Sequence, residues 1–483
     1  MIASEQRTIN LENSKLKVVR GGFVFVVVEP PQAVPLHILP RIFWTRLSLS
    51  RTNDLSDIFS FCTTSAETET TFNINILNQP APKMVDTKPL VLFVPGLYSS
   101  TLEPAGGSLG CLREKWNPPS SLLLSFLKAN GGHAGLKLPI TWSKNEEGIF
   151  VQDEDDIEAV DCLSFVQDKL LHFLETLHKN DLIELHKVVW DWRRSFEEAE
   201  SKVASKIESI CSKDSRKATV LSHSTGAMLT WPTISRNPEW FSSWVNAAGC
   251  LLEGSNLFLA DYDHGWSMSF VQMLSKEDYF SFAGLCSYFP VKGELCGGAG
   301  ETNYIAPDGS YYSQDDFDIY DVATWEEFKI GIFAWKKGGV TAEEREHLKH
   351  SLATAKRFRQ TNLLKEGNPR DPKFLHKDPS AYDHLKIICY GTDKEQTHSA
   401  YELNMEDKSM DVSKSKVTSN GDGTLFTSNW QTVPGGLKGD IVMAEEGSNH
   451  VSLVNDKRLH DVLLDTFFDG DELKKASATS LLK

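Results

Sequence analysis

The stretch Ala218–Gly226 constrains this chain more than any other. It reads A-T-V-L-S-H-S-T-G. A short apolar, β-prone run, Ala218 to Leu221, ends in Ser222-His223-Ser224-Thr225-Gly226, and a helical pattern follows. This spells strand, sharp turn and helix, with Ser224 at the apex. Strand and helix backbones pass close at such a turn, so only small residues fit two positions to either side. A serine held there points its hydroxyl out of the sheet edge, and the Thr225 N–H faces any carbonyl it attacks. The usual pattern has glycine at the first small position, where Ser222 stands here. Taken alone, the motif is matched as well by a chance serine-rich turn.

A chain of 483 residues accommodates one large or two ordinary domains. Its twelve tryptophans and 40% hydrophobic content suffice for a sizeable core. A net charge of −16 argues against a nucleic-acid partner, which needs a basic face. The eight cysteines are scattered without a C-x-x-C pair, so no zinc spacing appears; no metal or organic cofactor is expected for the chemistry read below. No apolar run approaches the ~20 residues of a spanning helix. Phe23–Val28 is shorter than the ~7–15 residues of most signal-peptide cores. The expectation is a cytoplasmic chain, or one peripheral on an intracellular membrane, with its oligomeric state left open.

Residues 1–83 lack sustained periodicity and are broken by Pro30, Pro31, Pro35 and Pro40, so they read as a loosely ordered leader. The folded domain is expected over 84–470, with a lid segment at 103–161, a cap insertion at 255–379 and a loose tail at 471–483. Pro89–Pro95 reads as a strand buried on both faces. Helices are expected at Leu163–Leu177 and Phe196–Cys211, with strands at Lys187–Trp190 and Ala218–Leu221. Helix and strand alternate, which implies right-handed parallel crossovers. Pro232 should kink or shorten the helix after the turn. Further strands are expected at Trp244–Gly249, Leu385–Tyr390 and Asp440–Ala444, then a closing helix over Val451–Phe468. Gly96-Leu97, after the first core strand, sits where the Leu97 N–H would join the Thr225 N–H in an oxyanion hole. Taken alone, that pair is better explained by an ordinary strand-ending turn.

A serine hydroxyl needs a base, and the base needs an orienting group. His450, in G-S-N-H-V between the last strand and the last helix, is the favoured base. His264 and His376 fall in the cap, and His347 and His350 read as solvated on a charged helical face. Two acids compete. Asp422 lies in N-G-D-G-T, where flanking glycines let backbone N–H groups gather round a carboxylate. Asp393, followed by Lys394 and Glu395, reads as a surface loop, so Asp422 is preferred. The apolar patch Ser120–Leu127 is either satellite core or a greasy, mobile lid. Leu123 and Phe126, with Trp116, are its candidate substrate contacts.

From Pro89 to Phe468 the chain resembles the lecithin:cholesterol acyltransferase family, which includes phospholipid:diacylglycerol acyltransferases and group XV-type phospholipases A2. The matching segments, in order, are Val94-Pro95-Gly96-Leu97 with Ser100-Thr101-Leu102-Glu103; Asp191-Trp192-Arg193; Ser222 to Gly226; Asn237-Pro238-Glu239-Trp240; Gly421-Asp422-Gly423-Thr424; and Gly447-Ser448-Asn449-His450. The resemblance implies an α/β-hydrolase fold, a mostly parallel sheet with helices on both faces and an inserted cap. It implies a Ser224–Asp422–His450 triad, an oxyanion hole from Leu97 and Thr225, and scaffold pairing by Asp191 and Arg193. The expected function is serine-dependent acyl transfer from a glycerophospholipid or related acyl lipid to a sterol, diacylglycerol or water, with peripheral membrane contact. A soluble esterase or thioesterase, or a non-catalytic lipid- or partner-binding protein, is the alternative. Family members often carry a lid disulfide; Cys111 and Trp142 sit near its positions, but Thr141 replaces the second cysteine. That departure points to a reducing compartment.

Overall fold

In the computed structural model the described residues are 7–11, 14–21, 23–29, 88–104, 136–251, 259–268, 271–289, 304–305, 317–363, 375–469 and 471–481. The chain divides into two compact units, Met1–Asp86 and Thr87–Lys483. In the first, strands Arg7–Leu11, Ser14–Gly21 and Phe23–Glu29 pair in an antiparallel meander. The sequence reading gave this stretch no regular structure. Phe23–Val28 is short for a signal core but of ordinary strand length, and its valines favour an extended backbone.

The second unit is organised by β1 (Leu90–Val94), β2 (Glu184–Lys187), β3 (Ala218–His223), β4 (Phe241–Ala247), β5 (Lys386–Gly391) and β6 (Asp440–Met443). They form one sheet in the order β2-β1-β3-β4-β5-β6, every neighbouring pair parallel. Five longer helices accompany it: α1 (Ser164–Lys179), α2 (Phe196–Cys211), α3 (Thr225–Arg236), α4 (Ala342–Phe358) and α5 (Lys457–Phe467). Strand side chains alternate between faces. Leu90, Leu92 and Val94 belong to the core shared with α2 and α3. Val91 and Phe93 belong to the core shared with α1 and α5. Burial on both faces explains the unbroken apolar run of β1. A parallel sheet covered this way is the general architecture of an α/β-hydrolase.

Several elements depart from the sequence reading. β2 ends at Lys187 rather than running to Trp190, and the following tryptophans turn back to neighbouring loops. The Trp190 indole N–H donates to the Pro95 carbonyl at 2.8 Å, and that of Trp192 to the Ser100 carbonyl at 3.3 Å. α3 continues through Pro232 to Arg236 with every residue from Thr225 to Ser235 buried, so packing outweighs the lost backbone bond. α5 starts at Lys457, because Asp456 caps it by accepting from the Leu459 N–H. The tail, expected to be loose, carries a helix at Glu472–Leu481, a segment rich in good helix formers. A long hairpin, Glu395–Asn404 with Ser409–Gly421, went unread and fills much of the β5–β6 connection.

The described part of the cap runs from a helix at Leu259–His264 to α4. It includes a helix at Lys276–Ser281 and a 3-10 turn at Ala283–Tyr288. Thr341 and Glu344 form a capping box that starts α4. His347 is buried on α4 rather than solvated. It accepts from the Trp142 indole at 3.0 Å, and its other ring nitrogen lies 2.9 Å from the Phe280 carbonyl. The lid residues Trp116, Leu123 and Phe126, the patch Ser120–Leu127 and Cys111 lie outside the described residues.

Candidate active site

The sheet order sets the location. The chain steps from β1 outward to β2, then crosses back over β1 to β3. The crevice beyond the carboxyl ends of β1 and β3 is therefore the switch point where such sheets place their sites. Both sequence motifs lie there, Pro95-Gly96-Leu97 after β1 and Ser224 after β3.

Ser224 sits at φ 52° and ψ −122°, a positive φ that side chains rarely adopt. Its backbone is held by its N–H donating to the Ala247 carbonyl at 3.0 Å and its carbonyl accepting from Cys250 at 3.2 Å. The crowding is measurable. A Cβ on Gly226 would lie 2.3 Å from the Val94 carbonyl oxygen, and one on Gly96 would lie 3.0 Å from the Ser224 Cβ. Ser222, in the usual glycine position, is wholly buried and accepts from the Trp244 indole N–H at 2.7 Å.

Asp422 follows the long hairpin and is wholly buried. Its Oδ1 accepts from the Thr424 and Leu425 N–H groups at 2.9 and 2.7 Å. Gly423, at φ 89°, makes the turn that delivers these groups. The other oxygen, Oδ2, accepts from His450 Nδ1–H at 2.7 Å. His450 Nε2 is then the acceptor for the Ser224 hydroxyl at 2.9 Å. The His450 N–H also donates to the Asp422 carbonyl at 2.8 Å, fastening the two loops together. Asp393 pairs with its neighbour Lys394 at 3.0 Å. Of the two candidate acids, Asp422 is therefore the one brought to His450.

Residues the sequence reading passed over support this arrangement. Asp456 accepts from the Glu445 N–H at 3.0 Å, the Ser448 hydroxyl at 3.3 Å and the Tyr390 phenol, so it braces the loop carrying His450. Correct placement of the α5 cap would have exposed it. His223 donates from Nε2 to the His450 carbonyl at 3.2 Å. Burial, reinforced by nearby His450, pushes its pKa down to about 3, so it stays neutral. Arg193 is wholly buried and is held by Asp191 at 2.7 Å and Asp155 at 2.6 Å, consistent with a scaffold role.

The Thr225 N–H lies in the first turn of α3, where no intrahelical acceptor exists. Leu97 follows Gly96, which packs on Ser224. The site brings together a hydroxyl, an imidazole within hydrogen-bonding distance of it, and a buried carboxyl group bonded to that imidazole. Among the described residues no group of three or more His, Cys, Asp or Glu could hold a metal.

No family model and no curated protein matches the chain. Among solved structures it is similar to a probable hydrolytic enzyme from Pseudomonas aeruginosa PAO1. The match has 10% identity and a TM-score of 0.24, and covers 85% of this chain and 94% of that one. A likeness at that score has no bearing on the chemistry.

Proposed function

We propose that this chain is a serine-dependent acyl-transfer enzyme acting on glycerophospholipids or related acyl lipids. The observation that carries the reading is the hydrogen-bonded line from the Ser224 hydroxyl through His450 to the buried Asp422 carboxylate. Ser224 Oγ attacks the ester carbonyl carbon while its proton passes to His450 Nε2. The carbonyl oxygen takes up negative charge and is met by the Leu97 and Thr225 N–H groups. Collapse breaks the ester C–O bond, and His450 returns the proton to the departing alcohol. The acyl group is left on Ser224. Water or an acceptor alcohol such as a sterol or diacylglycerol then attacks while His450 takes its proton; the bond from the acyl carbon to Ser224 Oγ breaks, and His450 returns the proton to Ser224. Asp422 keeps His450 in the Nδ1–H tautomer and stabilises the imidazolium. The scheme uses no cofactor.

The lipid assignment rests on the family resemblance of the sequence. In this reading bilayer contact is peripheral, through the apolar segment around Leu123 and Phe126. Among the described residues no helix is long and apolar enough to cross a membrane. The test incubates the protein with mixed phospholipids, with and without a sterol, and identifies products by mass. Acyl transfer or release that disappears in Ser224→Ala supports the proposal. Turnover confined to short soluble esters would make the chain a soluble esterase or thioesterase. No turnover, with no labelling of Ser224 by a fluorophosphonate, would leave a non-catalytic binding protein.

A further inference from the structure

One cap tyrosine hydroxyl grips Thr225 and another grips Tyr98, the neighbour of Leu97, and both tyrosines come from one short segment. Tyr279 lies on the Lys276–Ser281 helix and Tyr288 ends the following 3-10 turn. Tyr98, the residue after Leu97, donates its phenol hydrogen to the Tyr279 oxygen at 3.2 Å. Tyr279 in turn donates to Asp261 Oδ2 at 2.9 Å. The Tyr288 phenol is hydrogen-bonded to the Thr225 Oγ1.

These contacts bear on strained backbone. Tyr98 has φ 58°, which costs a bulky residue about 1–2 kcal/mol and persists only when its surroundings enforce it. Its ring is packed edge-on by Trp192, with centroids 4.8 Å apart, and tilted against Trp266 at 4.7 Å. Ser224, just before Thr225, also has a positive φ. Tyr279 and Tyr288 themselves belong to the aromatic packing of the cap. Tyr279 meets Tyr262 at 5.2 Å, and Tyr288 meets Phe196 of α2 at 5.2 Å, both edge to face. Burial raises the pKa of Tyr98, Tyr279 and Tyr288 well above the usual tyrosine value, so all three remain hydrogen-bond donors.

We propose that Tyr279 and Tyr288 are positioning residues that set the geometry of the oxyanion hole, coupling the seating of the cap to catalytic competence. This rests on the acyl-transfer reading of Ser224. The hydroxyls do not touch the reacting carbonyl. They fix Tyr98 and Thr225, whose backbones carry or adjoin the two donor N–H groups. A cap displaced from this seat releases both donors together.

The experiment removes one oxygen at a time. Tyr279→Phe and Tyr288→Phe keep the rings and lose the hydroxyls. With a short p-nitrophenyl ester, each should lower kcat about 10–30-fold and leave KM within about twofold. The rate of labelling by a fluorophosphonate should fall by the same factor. Tyr98→Phe added to Tyr279→Phe, and Thr225→Val added to Tyr288→Phe, should cost little more than the tyrosine changes alone, because the second change removes the partner of a bond already broken. A thionoester, whose sulfur accepts hydrogen bonds poorly, should lose less than the oxygen ester; a general loss of structure would lower both alike. Wild-type kcat in both phenylalanine variants, while Ser224→Ala is inert, would overturn this inference and leave the acyl-transfer reading standing. Losses seen only in KM, or equal losses with oxygen ester and thionoester, would also overturn it. Persistent turnover in Ser224→Ala would overturn the acyl-transfer reading and this inference with it.

Discussion

The turn at Ser224 and the cap above it are held by different means. At the turn, backbone meets backbone: Gly226 lies against the Val94 carbonyl, and Ser224 is fixed in a positive-φ conformation by ladder bonds from β4 and Cys250. In the cap, side chains meet side chains. Tyr262, Tyr279, Phe289 and Trp325 pack as a lattice of rings, and hydroxyls of the same segment reach down to Tyr98 and Thr225. Backbone crowding tolerates only small residues at fixed spacing, so it leaves a short signature in the sequence. A lattice of rings accepts many arrangements of similar volume and leaves none.

The sharpest contrast is expected in the chemistry on the sheet side. Asp422→Asn keeps the shape of the turn but removes the anion that orients His450. It should lower kcat by about three to four orders of magnitude. Asp393→Asn should stay within about twofold of wild type. Steady-state kinetics on a soluble ester decide this, and the reverse pattern would remove Asp422 from the mechanism.

Two glycines test the contrast in packing. A Cβ on Gly226 would fall 2.3 Å from the Val94 oxygen, and one on Gly284 in the cap would fall 2.3 Å from the Arg194 oxygen. The clashes are equal, but their settings differ. Gly226→Ala forces β1 and α3 apart within the sheet core and should cost more than about 3 kcal/mol. Gly284→Ala pushes on the join between cap and α2, where a 3-10 turn can tilt, and should cost about 1–2 kcal/mol. Denaturant melts with equal losses would erase the distinction between rigid turn and adjustable cap.

One buried histidine on each side extends the comparison to pH. Burial holds His223 down to about 3 and His347 down to about 4. The unfolded chain takes up a proton at each near 6.5, while the native chain does not. The sign follows: the unfolded state binds more protons below 6.5, so stability falls as pH drops from there toward 4 and is flat above. Each histidine contributes a slope of up to about 1.4 kcal/mol per pH unit in that window. His347→Gln should flatten the acid limb by that amount and leave activity near wild type. His223→Gln should flatten it equally but also lower kcat, because His223 supports the His450 carbonyl. Unfolding curves at pH 6.5, 5.5 and 4.5 provide the check.

The same contrast accounts for what was legible in the sequence. β1, α2 and β3 could be read because their patterns are local: an apolar run, a repeat at helical spacing, and small residues around Ser224. Gly421-Asp422-Gly423 was legible as a turn able to gather N–H groups, and those of Thr424 and Leu425 do reach the carboxylate. The long hairpin before it was not, because its polar residues alternate weakly and its pairing drifts through several bulges. His347 was misplaced on a solvated face. Its charged helical neighbours are visible in the sequence, whereas Trp142 and Phe280, which bury it, are remote in the chain. Tyr279 and Tyr288 do not stand out within the cap insertion, because nothing local distinguishes a packed phenol from one bonded to Tyr98 or Thr225.

The smallest expected effect is a coupling of about 1 kcal/mol at Ser222, where the turn departs from its usual glycine. Ser222→Gly restores the familiar pattern and should nevertheless destabilise the protein. The Trp244 indole N–H, fully buried against β3, would lose its acceptor at a cost of about 1–3 kcal/mol. A strand glycine adds about 0.5–1 kcal/mol of chain entropy. Activity should hold, since the Ser224 backbone is fixed independently through Ala247 and Cys250. Trp244→Phe alone removes the donor but leaves a smaller ring in a tight core. The pair Ser222→Gly with Trp244→Phe should therefore lose less than the sum of the two single changes, by about 1 kcal/mol, because the buried donor and its acceptor leave together. Additive losses, or a Ser222→Gly variant as stable as wild type, would mean that the hydroxyl merely fills space and that glycine is absent here for a reason other than Trp244.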